Sequence, residues 1–154
     1  MKKFNDLIDE CEKEITEIFP WDLEEILQER QPILLDIREP YEYEAMHIAN
    51  SINVPRGVLE SACEFDYEET VPELAKGRDK EIIVMCRSGK RSVLGAYAMK
   101  QLGFENSCSL KTGLRGWSEY EQPLIDQSGN AVDEETADEY FSPNLRPEQL
   151  SDNN

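Results

Sequence analysis

Phe4, Leu7, Ile8, Cys11, Ile15 and Ile18 recur at helical spacing among Asp, Glu and Lys. This pattern predicts an amphipathic helix over residues 3–18 that packs one face inward. Pro20 interrupts it, and Leu23, Ile26 and Leu27 predict a second short helix over about 22–30. The period then changes. PILLDIREP is a short apolar run held between Pro32 and Pro40, which predicts a strand, and SINVP predicts another that ends at Pro55. KEIIVMC is the most apolar run of the chain and predicts the centre of a sheet, and NSCSL predicts a further strand. Between these runs, YEYEAMHI reads as a turn or short helix and RGVLESACE as a helix. SVLGAYAMKQLG predicts a helix with Ser92 near its N-cap and Gly103 as its stop, and LRGWSEY a last short one.

Strands alternating with helices predict an α/β fold, a mainly parallel sheet with helices on both faces. Three regions follow: a helical extension over 1–31, the α/β domain over 32–125, and an acidic tail over 126–154. The tail is polar and weakly periodic, so it is expected to be of low order, with Val132, Tyr140, Phe141 and Leu145 as the residues able to dock. Ligands of parallel sheets bind beyond the carboxyl ends of the strands. Cys86 stands at one such end.

A length of 154 residues suits one domain with a sizeable core. No apolar run approaches the roughly 20 residues of a membrane span. MKKFNDLIDECEKE turns acidic too early for a signal peptide, and a cytoplasmic location is expected. The net charge of −17 argues against nucleic acid and anionic membranes as partners. Most of the excess lies at the ends: residues 126–154 hold eight acids and one base, and residues 1–31 ten and four. An anionic substrate therefore needs a local basic pocket. Cys11, Cys63, Cys86 and Cys108 form no CxxC pair and have no His at ligand spacing, so a zinc site is not expected; no cofactor is expected either. Disulfides are not expected in a reducing compartment, and Cys11, Cys63 and Cys108 read as packing residues.

Cys86 is different. CRSGKRS follows the apolar strand at once and leads into a helix. A tight loop of this kind turns successive N–H groups inward as an anion-binding nest, and the helix N-terminus adds partial positive charge. Arg87, Lys90 and Arg91 add full charges, and Gly89 suits a close backbone approach or a positive φ. Each effect favours thiolate over thiol, which predicts a nucleophile aimed at an anionic substrate.

EIIVMCRSGKRS, with LLDIREPYEYEAMHIANSINVP upstream and LKTGLRGW downstream, resembles a rhodanese-like sulfurtransferase domain from about Pro32 to Pro123. The motif residues are Asp36, Arg38, Glu42, Tyr43, His47 and Ile48, together with the Cys86 loop. The resemblance implies a five-stranded parallel sheet and a Cys86 that accepts sulfane sulfur as a persulfide. The N–H groups of Arg87, Ser88, Gly89, Lys90, Arg91 and Ser92 would hold that sulfur. It also implies a thiosulfate-like donor, drawn in by Arg87 and Lys90, and a thiol, cyanide or protein-thiol acceptor. Thr112 departs from the pattern, since the family often has a second glycine beside Gly113.

Asp36 and Arg38 could shape the pocket, but an Asp-x-Arg pair at a strand end more often fixes loops by an ion pair, with Glu42 as a further member. His47 reads as a structural hydrogen-bonding residue, and Trp21 and Trp117 as core or pocket-edge aromatics. Three other readings compete. A phosphatase or arsenate reductase on the same fold would carry a longer Cys-x₅-Arg loop, whereas Cys86 to Arg91 is Cys-x₄-Arg. A non-catalytic binding module would not need the cysteine. A sulfur-relay carrier shares the first half-reaction with the enzyme.

Overall fold

The computed structural model describes residues 1–151. Its strands are β1 (Glu17–Ile18), β2 (Ile33–Asp36), β3 (Ile52–Asn53), β4 (Ile82–Met85) and β5 (Ser107–Leu110), all parallel in the order β1-β5-β4-β2-β3. The helices are α1 (Phe4–Glu12), α2 (Pro20–Glu29), α3 (Pro40–Ala45), α4 (Leu59–Ala62), α5 (Pro72–Ala75), α6 (Lys90–Gln101), α7 (Gly113–Glu119) and α8 (Glu134–Phe141). The predicted α/β class and five-stranded parallel sheet are what the structure shows.

Side-chain alternation along β4 divides the core in two. Ile82, Val84 and Cys86 face a layer that includes Leu59, Ala62, Leu74, Ala96 and Met99 from α4, α5 and α6. Ile83 and Met85 face the opposite layer with Leu23, Leu114, Trp117 and Phe141 from α2, α7 and α8. The two-residue period thus sets Cys86 on the α6 side, at the strand's carboxyl end. α1 packs outside this layer, with Ile8 and Cys11 against Val93 of α6.

Two terminal segments differ from the sequence expectation. The helix expected over 3–18 stops at Glu12, and Glu17–Ile18 pairs with Ser109 and Leu110 as the edge strand β1. Ile15, Thr16 and Ile18 are β-branched, which favours a strand once β5 offers an edge. The tail expected to be of low order contains α8. Asp133 caps it by accepting from the Thr136 N–H at 2.7 Å, and Ala137 and Phe141, four residues apart, are buried against α7 and its neighbours. Residues 152–154, at the end of that expected tail, lie outside the described residues. The start of α6 also shifts: its N-cap is Gly89 rather than Ser92, with φ +92.

Candidate active site

The site grows from the junction of β4 and α6. Cys86 is 1% exposed. Its Sγ accepts the backbone N–H of Gly89 at 3.2 Å and of Ser92 at 3.3 Å. The thiol donates to Ser92 Oγ at 3.4 Å, and Ser92 Oγ shares a hydrogen bond with Ser109 Oγ at 2.7 Å. The sulfur therefore sits within the first turn of α6, where N–H groups have no partner inside the helix. Donors fixed by the backbone stabilise negative charge on sulfur without any reorientation.

A second turn holds the loop from outside. The N–H groups of Leu114 and Arg115, at the start of α7, donate to the Cys86 and Arg87 carbonyls at 2.9 and 3.0 Å. That approach requires glycine at position 113, where a Cβ would lie 2.5 Å from both carbonyl oxygens and φ is +62. The preceding Thr112 adopts φ +69, a left-handed conformation that costs a β-branched residue energy. The sequence departure from glycine at Thr112 thus places a threonine at a backbone angle that favours glycine.

Each cationic side chain of the loop bonds another protein group. Arg87 Nη2 donates to the carbonyls of Tyr140, Phe141 and Ser142 at 3.4, 3.1 and 3.3 Å. Lys90 donates to Asn5 Oδ1 at 2.9 Å and lies over the Phe4 ring. Arg91 makes a two-pronged contact with Glu42 at 2.8 and 3.0 Å. Burial alone would raise the Glu42 carboxyl, but the Arg91 hydrogen bonds, the Glu39 N–H and the charges of Arg91 and Arg38 hold it below its usual range. Arg87 and Lys90, the residues expected to draw in a donor by charge, are hydrogen-bonded to a helix end and to α1 respectively.

Asp36 and Arg38 are fully buried and joined by two strong contacts, Nε to Oδ1 at 2.9 Å and Nη2 to Oδ2 at 2.7 Å. Arg38 Nη2 also donates to the Met46 carbonyl, and Asn53 Nδ2 donates to the carbonyls of both residues. The pair braces the β2–α3 turn that carries Glu42, and neither side chain bonds Cys86. His47 Nδ1 contacts the Tyr43 carbonyl at 2.7 Å and its ring stacks on Tyr43. Trp117 is buried and donates to the Pro123 carbonyl, whereas Trp21 is 51% exposed and stacks on Phe19 at the surface rather than in the core. The remaining cysteines include two that burial disables: it pushes the Cys63 thiol up to about 11 and the Cys108 thiol up to about 12.

Sequence reasoning missed Ser109, Asn53 and the α8 carbonyls. Ser109 carried a weak signal, a polar residue at an inward position of a buried strand. The other two act through backbone carbonyls that no side-chain pattern reveals.

Residues 20–120 match the family model described as Rhodanese-like domain. An adenylyltransferase and sulfurtransferase uba4 from Ogataea parapolymorpha is 33% identical over 101 residues, which is 66% of this chain and 24% of that protein. A putative sulfur carrier protein YrkF from Bacillus subtilis is 34% identical over 85 residues, 55% of this chain and 40% of its own. The chain thus matches well under half the length of either relative. Among solved structures, a thiosulfate sulfurtransferase from Pseudomonas aeruginosa superposes with a TM-score of 0.62 at 26% identity, covering 86% of this chain and 25% of that one.

Proposed function

The chain belongs to the rhodanese-like domain family, and on that premise we propose that it transfers sulfane sulfur through a persulfide on Cys86. One observation carries the proposal: a buried sulfur at a strand's carboxyl end that accepts two backbone N–H groups from the start of α6. A thiolate or persulfide is the charged species that such a cradle favours.

With thiosulfate as donor, the Cys86 thiolate attacks the outer sulfur. An S–S bond forms to Cys86, the bond to the sulfonate sulfur breaks, and sulfite leaves with the electron pair. An acceptor thiolate or cyanide then attacks the outer sulfur of the persulfide and returns Cys86 as thiolate, the order of a ping-pong reaction. Ser92 and Ser109 form a hydroxyl pair beside the sulfur that can reorient as its charge changes. Asp36 and Arg38 serve the site by holding the β2–α3 turn.

A relay carrier, loaded by another protein's persulfide, is a second version of the same chemistry. The engagement of Arg87, Lys90 and Arg91 by protein groups favours it, because each of these cations is already partnered. The likeness to a putative sulfur carrier protein points the same way. Phosphoryl chemistry is disfavoured by the Cys-x₄-Arg spacing, whose arginine faces Glu42.

The test is steady-state kinetics of thiocyanate formation, run beside aryl phosphate hydrolysis. Parallel double-reciprocal lines with thiosulfate and cyanide, lost in Cys86→Ser, are expected. Phosphatase turnover without sulfur transfer would reverse the assignment.

A further inference from the structure

α8 lies outside the residues matched by the family model and is built to persist as a helix. Asp133 caps its start, Glu134 and Glu135 occupy the first turn, and Ala137 and Phe141 bury one face. Its last turn has no basic residue of its own. Arg87, the residue after the nucleophile, fills that role from the active-site loop by donating to the Tyr140, Phe141 and Ser142 carbonyls. These carbonyls are the unpaired negative pole of the helix, where a cation is stabilising.

Tyr140 stands among the groups around the site. Burial, and then the Glu42 carboxylate, push its phenol above the usual range, while Arg38 and Arg87 oppose them. The seam between α7 and α8 is incompletely filled: a groove of about 250 Å³ lies along Arg115, Ser118, Asp138 and Phe141. α8 is therefore held on one face by Ala137 and Phe141 and at its end by Arg87, with the groove open beside Phe141.

While docked, α8 holds the Arg87 guanidinium on its own C-terminal carbonyls, which offsets part of that charge and sets a negative helix pole beside the active-site loop. Both effects act against a doubly charged donor more than a singly charged one. We propose that α8 sets the donor specificity of the site: docked, it withholds Arg87 and disfavours dianionic sulfane donors relative to monoanionic ones, and its release returns Arg87 to the mouth. This deepens the assignment of sulfur transfer to Cys86 and rests on it.

Thiosulfate and methanethiosulfonate test the proposal, because they differ in charge but not in the reacting bond. Each gives its terminal sulfur to the Cys86 thiolate; sulfite leaves the first and methanesulfinate the second. Full-length Phe141→Ala removes the anchor of α8. Asp138→Pro breaks the helix from its exposed side without touching the core and stands in if Phe141→Ala does not fold. In either variant, the ratio of kcat/KM for thiosulfate to that for methanethiosulfonate is expected to rise about tenfold, chiefly through KM. Adding Arg87→Gln should cancel the rise. An unchanged ratio, or a rise that survives Arg87→Gln, overturns the proposal. Failure of both donors to load Cys86 in the parent protein overturns instead the sulfur-transfer assignment beneath it.

Discussion

Cys86 directly follows one strand of the sheet and Cys108 lies within its neighbour, yet their surroundings oppose each other. Cys108 lies within β5, paired in register with Ile83, and burial pushes its thiol up to about 12. Cys86 lies one residue beyond β4 and is still more buried, but its sulfur accepts the N–H groups of Gly89 and Ser92. Burial without donors disfavours a charged sulfur, whereas the Cys86 sulfur is buried with main-chain donors in reach. What separates an inert thiol from a candidate nucleophile here is one step past a strand end, and the donors are main-chain groups rather than the cations that stand out in the sequence.

The sharpest way to break this contrast is alkylation. At neutral pH, iodoacetamide should label Cys86 at least about a hundredfold faster than Cys63 or Cys108, as read by peptide mass spectrometry. Equal rates would erase the distinction. Next in size is the outer turn that keeps the cradle shut. Gly113→Ala forces a Cβ to 2.5 Å from the Cys86 and Arg87 carbonyl oxygens at a positive φ. It should cost about 3 kcal/mol in urea unfolding and slow Cys86 labelling.

A smaller effect concerns Glu42. Its folded-state pKa is held below the unfolded value, so the stability it contributes is present above the unfolded pKa and is lost as pH falls through the folded one. Because Arg91 is 35% exposed, solvent screening reduces the gain to about 1 kcal/mol. Glu42→Gln should flatten the acid limb of the stability profile below about pH 4 by that amount, measured by urea midpoints across pH. The smallest is a gain: Thr112→Gly relieves a left-handed β-branched residue and should stabilise the fold by about 1 kcal/mol. A loss of stability would mean that the threonine side chain supports the turn.

Much of this site was legible before the structure. The apolar run ending in Cys86, a glycine in the loop and a helix immediately after it are local features, and local features survive into the fold. The outlying parts were not legible, for physical reasons. β1 is two residues long and exists only because β5, far along the chain, offers an edge. α8 was obscured by its acidic composition, although Ala137 and Phe141 carry the spacing of a buried face. The partners of the loop's basic residues were the least legible. Sequence records that Arg87, Lys90 and Arg91 are charged, but their direction is set by carbonyls of α8, by Asn5 and by Glu42, which the fold brings from elsewhere.

An amide cradle that makes Cys86 the carrier of sulfur has a direct consequence for the mass of the protein. Intact-mass spectrometry of the full-length protein after exposure to thiosulfate or a persulfide donor tests it directly. The expected result is one added sulfur atom, removed by cyanide and absent from Cys86→Ser, while Cys63→Ser and Cys108→Ser still gain it. A sulfur that persists in Cys86→Ser, or no added sulfur from either donor, would contradict the account.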